Sequence, residues 1–476
     1  MKKSKKALLL AGLGYGDEGK GSIVDYLAVK HDAKIIVRYN GGSQALHHVV
    51  RPDGLVHGFR QLGSGMLAQP RLRTYLSRFM AVDPLFLSGE INDLTIKKGI
   101  KYSFGQVIID RDCVVITPFH RIVNQMLETS RCHARLGSCG HGVGEALKDF
   151  AHMGSDTLLV GDLIDRERTK RKLRLLLDMK IDLAEQVIGG LGQYVFYFTD
   201  KLNHQLFQLR DYHSWLDRLS QNYFDRFEFG FFKLGDQKNL SRLLGRSETV
   251  IFEGAQGVLL DPCFGFSPHI TRTRTNFENA DQILGEINYD GEVTKIGVTR
   301  AYATRHGAGP FVTEENGLAE LIPEIHNQEN EWQGAFKIGW LDLVATRYAI
   351  NVLGKVDQIA VTNMDRIAGL KTFKLCNAYS MPAAPGNIFG DFFELEKMGD
   401  GARVMVQNIK KPTFIPEGRQ NLLTKLLDIC QPDYTTLRKP SANMFVSLIE
   451  EGLRVPVSLM SNGPTFKDKV DFSTSL

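Results

Sequence analysis

Gly12-Leu-Gly-Tyr-Gly-Asp-Glu-Gly-Lys-Gly-Ser-Ile-Val-Asp25 follows a short apolar run near the start of the chain and leads into residues with helical spacing. A glycine-rich turn between a buried strand and a helix lets backbone N–H groups face an anion, and the helix N-terminus adds positive partial charge there. Lys20 is long enough to reach a β- or γ-phosphate as a point charge. The stretch therefore predicts a nucleotide-phosphate site at the first strand-to-helix turn.

Two phosphate-binding patterns overlap in this turn, and neither is complete. Gly14-x-Gly16-x-x-Gly19 fits a dinucleotide fingerprint, but the next apolar run ends at Arg38-Tyr-Asn40 without an acidic residue for a ribose. Gly14-x-x-x-x-Gly19-Lys20 fits most of a phosphate loop, but Gly21 stands where Ser or Thr would hold magnesium. Asp17 would repel phosphates unless it binds a cation or takes up a proton. A nicotinamide dehydrogenase is thus a distant alternative, and proton or metal chemistry is expected beside the nucleotide.

The rest of the chain predicts an α/β fold with a large, mostly parallel central sheet flanked by helices, similar to phosphate-loop NTPases, with insertions. Short Val-, Ile- and Leu-rich runs without alternation are typical of strands covered on both faces. The predicted strands are 7–10, 34–37, 106–109, 157–160, 250–252, 294–298 and 358–361, and the predicted helices include 22–30, 169–189 and 339–353. We expect one domain over residues 1–476, with 380–445, richer in Gly, Pro and Lys, as irregular or inserted structure.

Composition excludes several classes of protein. A chain of 476 residues with 43% apolar and 24% charged residues is neither disordered nor collagen-like. The net charge of +4 gives no general basic field for nucleic acid. The six cysteines are scattered without a C-x-x-C pair, and no apolar run approaches the length of a membrane span. We therefore expect a cytoplasmic, enzyme-sized protein that binds neither nucleic acid nor membrane.

Six motifs in order along the chain resemble those of the adenylosuccinate synthetase family. They are Gly16-Asp-Glu-Gly-Lys-Gly21 followed by Arg38-Tyr-Asn-Gly-Gly-Ser-Gln-Ala-Leu-His47, Phe252-Glu-Gly-Ala-Gln-Gly-Val-Leu-Leu-Asp261, Ala301-Tyr-Ala-Thr-Arg-His-Gly-Ala-Gly-Pro-Phe311, Gly339-Trp-Leu-Asp342, Thr362-Asn-Met-Asp365 and Ser461-Asn-Gly-Pro464. One such motif is weak, whereas six in order are specific. The resemblance implies a GTP- and Mg²⁺-dependent ligase, typically a homodimer. This ligase joins L-aspartate to the 6-position of inosine monophosphate through a 6-phosphoryl intermediate and gives adenylosuccinate.

The resemblance also implies roles for individual residues. Asp17 is the implied base for the purine N1 proton, His47 the implied acid that steadies the 6-oxygen, and Lys20 the cation that stabilises the transferring phosphoryl group. The other implied residues are Gln44, Ser138, Cys139, Gln256 and Thr271 for the nucleotide substrate, Gly334 and Lys337 for aspartate, Gly16, Glu18, Gly19, Lys20, Gly21, Ser22, Asn363, Asp365, Ser461, Asn462 and Gly463 for GTP, and Asp17 with the Leu46 carbonyl for Mg²⁺.

The motifs that choose substrates depart from the family pattern. Leu46 stands at a glycine position, Cys139 replaces a hydroxyl that grips the substrate phosphate, and an arginine supplied by a partner subunit falls near Met153 without a counterpart. The segment 330–338 is shorter than the family's aspartate loop and carries only Lys337 as a cation, where an arginine fork suits a dicarboxylate. Asn363 replaces a lysine that packs along the guanine base.

Three functions therefore stay open. The first is the ligase acting on inosine monophosphate. The second is a variant that accepts (deoxy)guanosine monophosphate, giving 2-amino-adenylosuccinate, or another amine. The third is a catalytically silent GTP-binding regulatory protein that kept the GTP site and lost the aspartate site. Asp17 favours the first over the second, because relatives with the altered preference often lack that aspartate.

Overall fold

The structure, a computed structural model, describes residues 5–69, 71–132, 135–191, 199–324, 332, 334–383, 388–398, 402–416 and 418–472. The strands are β1 (Lys6–Gly12), β2 (Ile35–Arg38), β3 (His47–Val50), β4 (Val56–Phe59), β5 (Arg73–Leu76), β6 (Ala81–Val82), β7 (Val107–Asp110), β8 (Val114–Val115), β9 (Lys233–Gly235), β10 (Thr249–Gly257), β11 (Glu292–Arg300), β12 (Ala303–His306), β13 (Phe336–Gly339), β14 (Leu341–Asp342), β15 (Gln358–Thr362), β16 (Thr372–Pro382), β17 (Phe393–Lys397), β18 (Arg403–Ile409), β19 (Gln431–Arg438), β20 (Val457–Ser461) and β21 (Lys469–Asp471). The helices are α1 (Lys20–Lys30), α2 (Pro84–Asn92), α3 (Pro118–Ser130), α4 (Val143–Met153), α5 (Arg166–Gly189), α6 (Thr199–Glu228), α7 (Gln237–Arg246), α8 (Glu278–Glu286), α9 (Leu318–Leu321), α10 (Leu343–Leu353), α11 (Met364–Ile367), α12 (Arg419–Asp428) and α13 (Ala442–Leu453). Within these described ranges, no helix combines the length and the apolar character that crossing a bilayer requires.

A ten-stranded sheet forms the centre of the fold. Its order is β21-β20-β15-β11-β1-β10-β2-β5-β7-β9, and every pair is parallel except β20 with β21. Six of the predicted strands coincide with β1, β2, β7, β10, β11 and β15, which confirms the α/β prediction. Two large apolar clusters are buried in the fold, and both contain side chains of β1, because alternate residues of a strand point to opposite faces.

One local prediction is wrong, and another is confirmed only in part. Residues 157–160 do not form a strand: Leu159 makes an isolated bridge with Val114, and Val160–Asp162 is a single 3₁₀ turn. A short apolar run does not distinguish a strand from another buried segment. The helix predicted over 339–353 begins only at Leu343, because the Asp342 carboxylate caps it by accepting the Ala345 N–H at 2.9 Å.

The described part of residues 380–445 is not irregular, whereas the alternative that this segment is an insertion stays a prediction. β17, β18 and β19 lie there and join β14 and β16 in a second, five-stranded sheet, followed by the start of α13. Most residues of β17 and β19 are exposed, so these strands lack the apolar runs from which the others were predicted. That residues 1–476 form one domain stays a prediction.

Asp25 on α1 gives the fold a pH-dependent contribution to stability. Its side chain is buried, and within the described residues its Oδ1 atom has no hydrogen-bond partner. Burial raises the pKa of Asp25 from its ordinary value of 3.8 to about 7, against the opposing charges of Lys469 and Arg51. Because the folded-state pKa is raised, the protonated carboxyl stabilises the fold below its ordinary pKa, and this contribution is lost as the pH rises through about 7.

Asp25→Asn is therefore expected to raise the free energy of unfolding at pH 8, by up to about 4 kcal/mol, and to leave it nearly unchanged at pH 4. Urea denaturation at the two pH values measures the difference. The same stabilisation at both values would contradict the assignment.

Candidate active site

The predicted site residues gather at one edge of the central sheet. The glycine-rich turn leaves the carboxyl end of β1, and β2, β10, β11 and β15 end at the same edge because all five strands run parallel. Loops that follow parallel strands at such an edge form the usual ligand crevice of open α/β sheets. Residues far apart in sequence therefore surround the turn.

Glu18 holds the glycine-rich turn from within. Its Oε1 atom accepts the N–H groups of Gly14 at 3.0 Å and Gly16 at 2.8 Å, and its Oε2 atom lies 2.5 Å from Lys20 Nζ. The Glu18 and Lys20 side chains are both buried. A phosphate bound in this turn would therefore compete with the Glu18 carboxylate for the N–H groups and for the Lys20 ammonium.

Asp17 is held as an ionised carboxylate beside this turn. Its Oδ2 atom lies 3.2 Å from His306 Nε2, and its backbone carbonyl accepts a hydrogen bond from Arg300 Nε. Burial by itself would raise the pKa of Asp17, but His306, Arg300 and Lys20 hold it at about 2. Asp17 is therefore charged at neutral pH and can accept a proton or bind a cation.

His47 is carried by the β3–β4 hairpin and is anchored by a buried acid. Its Nδ1 atom lies 2.5 Å from Glu253 Oε1 on β10, so Nδ1 carries the shared proton and Nε2 is left for a substrate. Burial lowers the pKa of His47 and Glu253 opposes this effect. A Cβ atom at Gly21 would lie 2.7 Å from His47 Cβ, so glycine is required where the hairpin meets α1.

Glu253 is itself stabilised by three neighbours. The Ser64 N–H donates to Glu253 Oε2 at 3.0 Å and the Ser64 hydroxyl donates to Oε1. Burial would raise the pKa of Glu253, but Arg38, His47 and Ser64 lower it to about 2. The charge of Lys20 lowers the pKa of both Asp17 and His47, so the three side chains predicted to be catalytic lie around one region.

The residues predicted for the nucleotide substrate lie on two sides of this region. Gln256, at the end of β10, adopts a left-handed φ of 56°, and its Cα atom lies 4.0 Å from the position of a Cβ on Gly16. Its Oε1 atom accepts the Thr273 hydroxyl at 3.3 Å, and that hydroxyl lies 3.5 Å from the Thr271 hydroxyl. Gln256 and Thr271 therefore belong to one polar cluster beside the turn.

Ser138 and Cys139 lie on the loop that precedes α4. Asn124 Nδ2 donates to Ser138 Oγ at 2.8 Å, and His269 Nδ1 lies 3.4 Å from the Leu136 carbonyl, which connects this loop to the segment that carries Thr271. Burial raises the pKa of the Cys139 thiol to about 11, so the thiol is neutral at pH 7 and is not an activated nucleophile.

The residues predicted for GTP come together from three parts of the chain. The Thr362 hydroxyl donates to the Glu18 carbonyl at 2.7 Å, which ties β15 to the turn, and Ser22 Oγ donates to the carbonyl of Pro464 at 3.4 Å. Asn363 has a φ of 60° and precedes α11, on which Asp365 lies in the first turn. The remaining predicted residues on these elements are Gly19 and Gly21 at the start of α1, and Ser461, Asn462 and Gly463 after β20.

Lys469 is a cation near these residues that sequence analysis missed. Its Nζ atom donates to the carbonyls of Gly463 at 2.9 Å and Thr465 at 2.8 Å. Burial lowers the pKa of Lys469 to about 8, and Asp468, Asp25 and Asp365 oppose this effect. Lys469 lies beyond the last motif, so no motif in the sequence marked it.

The two residues predicted for aspartate lie at the β12–β13 hairpin. Gly334 precedes β13 with a φ of 81°, and Lys337 lies opposite Arg305 in the antiparallel register. Lys337 Nζ is 2.8 Å from Glu314 Oε2, so its charge is already balanced. Residues 330, 331 and 333 of the predicted aspartate loop lie outside the described residues.

The donor set suits Mg²⁺ only as an ion shared with a nucleotide. Within the described parts of the chain, no group of three or more His, Cys, Asp and Glu side chains forms a metal cluster. Mg²⁺ is typically bound by one or two carboxylates together with phosphates and water, and Asp17 offers one carboxylate at the phosphate turn. Leu46, whose carbonyl is the second predicted ligand, directly precedes β3.

Glu253 and His306 had no role predicted from the sequence. Glu253 carried a usable signal, because a carboxylate in an apolar central strand must have a partner. His306 lies within the motif Ala301–Phe311, but nothing in its spacing places β12 beside Asp17. Asp342 also belongs to a family motif, but it caps α10 and accepts the Tyr379 hydroxyl at 2.6 Å, which is a structural role.

A family model covers nearly the whole chain, and curated relatives carry the same family name. The family model described as adenylosuccinate synthetase matches residues 9–470. Adenylosuccinate synthetase of Christiangramia forsetii is 31% identical over 466 residues, covering 97% of this chain and 99% of that protein. The enzyme of the same name from Chlorobium luteolum is 29% identical over 487 residues, covering 98% of each.

Two solved structures share the fold. Fully ligated adenylosuccinate synthetase from Plasmodium falciparum has a TM-score of 0.71 at 20% identity, covering 98% of this chain and 99% of that chain. Succinoaminodeoxyadenylate synthetase from cyanophage S-2L, bound to dGMP and to dATP as an energy donor, has a TM-score of 0.56 at 16% identity, covering 98% and 95%.

Proposed function

The chain belongs to the adenylosuccinate synthetase family of GTP-dependent ligases, and from this we propose that it joins L-aspartate to the 6-position of inosine monophosphate at the expense of GTP. The observation that carries the proposal is the grouping of Asp17, His47 and Lys20 around one region, each with a buried or charged partner. The protein would act as a homodimer, as the family resemblance implies.

The first step makes a leaving group of the purine 6-oxygen. The ionised Asp17 carboxylate takes the N1 proton, and the 6-oxygen then attacks the γ-phosphorus of GTP and releases GDP. In its protonated form His47 donates Nδ1–H to Glu253 and Nε2–H to the 6-oxygen, and Lys20 stabilises the charge on the transferring phosphoryl group. His306 holds the Asp17 carboxylate in place.

The second step forms the C–N bond. The amine of aspartate attacks C6, phosphate leaves with the former 6-oxygen, and the amine gives up a proton. Mg²⁺, held by Asp17, the nucleotide phosphates and the Leu46 carbonyl, would neutralise phosphate charge. Asp365 would accept two hydrogen bonds from guanine N1–H and N2–H.

Two other candidates are a ligase with different substrates and a catalytically silent nucleotide-binding protein. The Lys337–Glu314 ion pair of 2.8 Å favours both, because the cation predicted to hold a dicarboxylate already has an acidic partner. A ligase with a different amine, or one that uses (deoxy)guanosine monophosphate, would need a different set of contacts here. A silent protein would bind GTP without turnover.

Phosphate release distinguishes these functions. Purified protein is incubated with GTP and Mg²⁺, with or without aspartate, and with either inosine or (deoxy)guanosine monophosphate. Release that needs both aspartate and the inosine nucleotide supports the proposal. Release with only the guanine nucleotide favours the variant ligase, and tight GTP binding without release favours the silent protein.

Asp365→Asn is expected to raise the KM for GTP about 10- to 100-fold with little change in kcat, because a charge-assisted pair of hydrogen bonds to guanine is lost. The amide of the variant can donate to a 2-oxo group, so xanthosine triphosphate should become the better donor. Steady-state kinetics with both nucleotides measures this. An unchanged KM for GTP would place the guanine elsewhere.

A further inference from the structure

Arg60 lies on the hairpin that carries His47, and its guanidinium makes few polar contacts with the described residues. It directly follows β4, and its guanidinium lies 5.3 Å from the centre of the Phe86 ring. Within the described residues, the hydrogen bond found for the guanidinium is a long one, 3.5 Å from Nη1 to the Ser43 carbonyl. The nearby Glu90 carboxylate is occupied by the backbone N–H groups of Arg60 at 2.8 Å and Gln61 at 3.0 Å.

His141 lies against the same ring. Its ring centre is 5.9 Å from that of Phe86, and its Nδ1 atom is buried without a hydrogen bond from any described residue. Burial and the charges of Arg60 and Arg121 lower the pKa of His141 to about 4. Arg121 is paired with Asp83, whereas among the described residues no carboxylate pairs with the Arg60 guanidinium.

The first turn of α4 opens towards the same place. α4 begins after Gly142, which has no side chain to cap the first N–H groups of the helix. A Cβ atom at Gly42 would lie 2.9 Å from both Val143 Cγ2 and Gln44 Oε1, so the Gly41–Gln44 loop meets this helix start. Ser43 is fully buried, and its hydroxyl has no partner within the described residues.

One acidic group and one thiol lie near this place. Glu145, in the first turn of α4, has its Oε2 atom 3.9 Å from Lys180 Nζ on α5, and the same ammonium pairs with Asp149 at 2.6 Å, so the Glu145 charge is only partly balanced. The Cys139 thiol lies near Arg60 and is uncharged at pH 7, because burial raises its pKa to about 11. The convergence of a guanidinium, an imidazole, a hydroxyl and a helix N-terminus matches the donors that bind a phosphate monoester.

We infer that Arg60, with His141 and the first turn of α4, holds the 5′-phosphate of the purine nucleotide. The inference rests on the proposed function for the identity of the ligand. Arg60 lies directly after β4, on the hairpin that bears His47. It would supply from the same chain the positive charge of the partner-subunit arginine, which has no counterpart near Met153. The same donors would also bind inorganic phosphate. The experiment therefore compares the nucleotide 5′-phosphate with free phosphate.

Binding is measured by calorimetry without GTP or aspartate, for wild-type protein, Arg60→Ala and Arg60→Lys. The probes are inosine monophosphate, (deoxy)guanosine monophosphate, the matching nucleosides and inorganic phosphate. Arg60→Ala is expected to weaken nucleotide binding about 10- to 100-fold and leave nucleoside binding unchanged, with Arg60→Lys in between, because lysine keeps the charge without the fork. Arg78→Ala is the matched control, since Arg78 also stacks on a phenylalanine, Phe79, at 4.6 Å and pairs with Glu286.

The outcomes test the phosphate site at Arg60 independently of the ligase activity. Nucleotide binding that is insensitive to Arg60, or an equal loss of nucleotide and nucleoside binding, overturns the inference even if turnover is intact. A wild type that binds no nucleoside monophosphate overturns it as well, and inorganic phosphate bound as tightly as the nucleotide assigns the site to free phosphate instead. Arg60-dependent nucleotide binding without aspartate-dependent turnover leaves the inference standing and rejects only the ligase. Circular dichroism and melting temperature verify that the variants are folded.

Discussion

Asp17→Asn is expected to lower kcat by about 10³-fold, because the amide can neither take the purine N1 proton nor carry the charge that a cation needs. The KM for the purine nucleotide is expected to change little, since the substitution removes an interaction made in the transition state. Single-turnover measurement of 6-phosphoryl formation is the direct test. The variant should fold normally, because Asn tolerates the left-handed φ of 61° at this position.

Two controls make this result specific to Asp17. His306→Val removes the group 3.2 Å from Oδ2 but leaves the carboxylate, so a smaller loss of kcat is expected. Asp365→Asn removes a carboxylate from the predicted guanine site and should change the KM for GTP instead. If Asp17→Asn keeps wild-type turnover, the proposed mechanism fails.

Glu253→Ala is expected to lower the free energy of unfolding by about 3–5 kcal/mol. The substitution leaves the buried Arg38 and His47 without the carboxylate that faces them, and it leaves the Ser64 N–H and hydroxyl without an acceptor. Urea denaturation at pH 7 measures the loss. kcat should also fall, because the imidazole of His47 loses the anchor on Nδ1.

The controls for Glu253 separate burial from charge. Glu253→Gln keeps an acceptor for Ser64 and should cost less than the alanine variant. Asp290→Ala breaks an exposed ion pair with Lys5 of 2.8 Å and should cost less than about 1 kcal/mol. Because the pKa of Glu253 is lowered to about 2, its stabilisation is present above its ordinary value of 4.5 and is lost as the pH falls towards 2. A cost for Glu253→Ala no larger than that of Asp290→Ala would contradict the buried network.

The predictability of the fold followed the burial of each strand. β1, β10 and β11 lie in the middle of the sheet and are covered on both faces, so their apolar runs were visible in the sequence. β17 and β19 expose most of their residues and were missed. The run at 157–160 shows the opposite error, since burial alone does not make a strand.

The sequence by itself determined the glycine-rich turn, the order of the motifs and the α/β class, because a strand-to-helix turn and a run of apolar residues are local patterns. Only the tertiary structure decided which side chains face each other. Glu253 reaches His47 across the pairing of β10 with β2, and His306 reaches Asp17 from a separate hairpin. The Glu18 carboxylate accepts the N–H groups that the glycine-rich turn was predicted to offer to a phosphate. The physical reason is that hydrogen bonds and charges act over a few ångströms in space, whatever the separation along the chain.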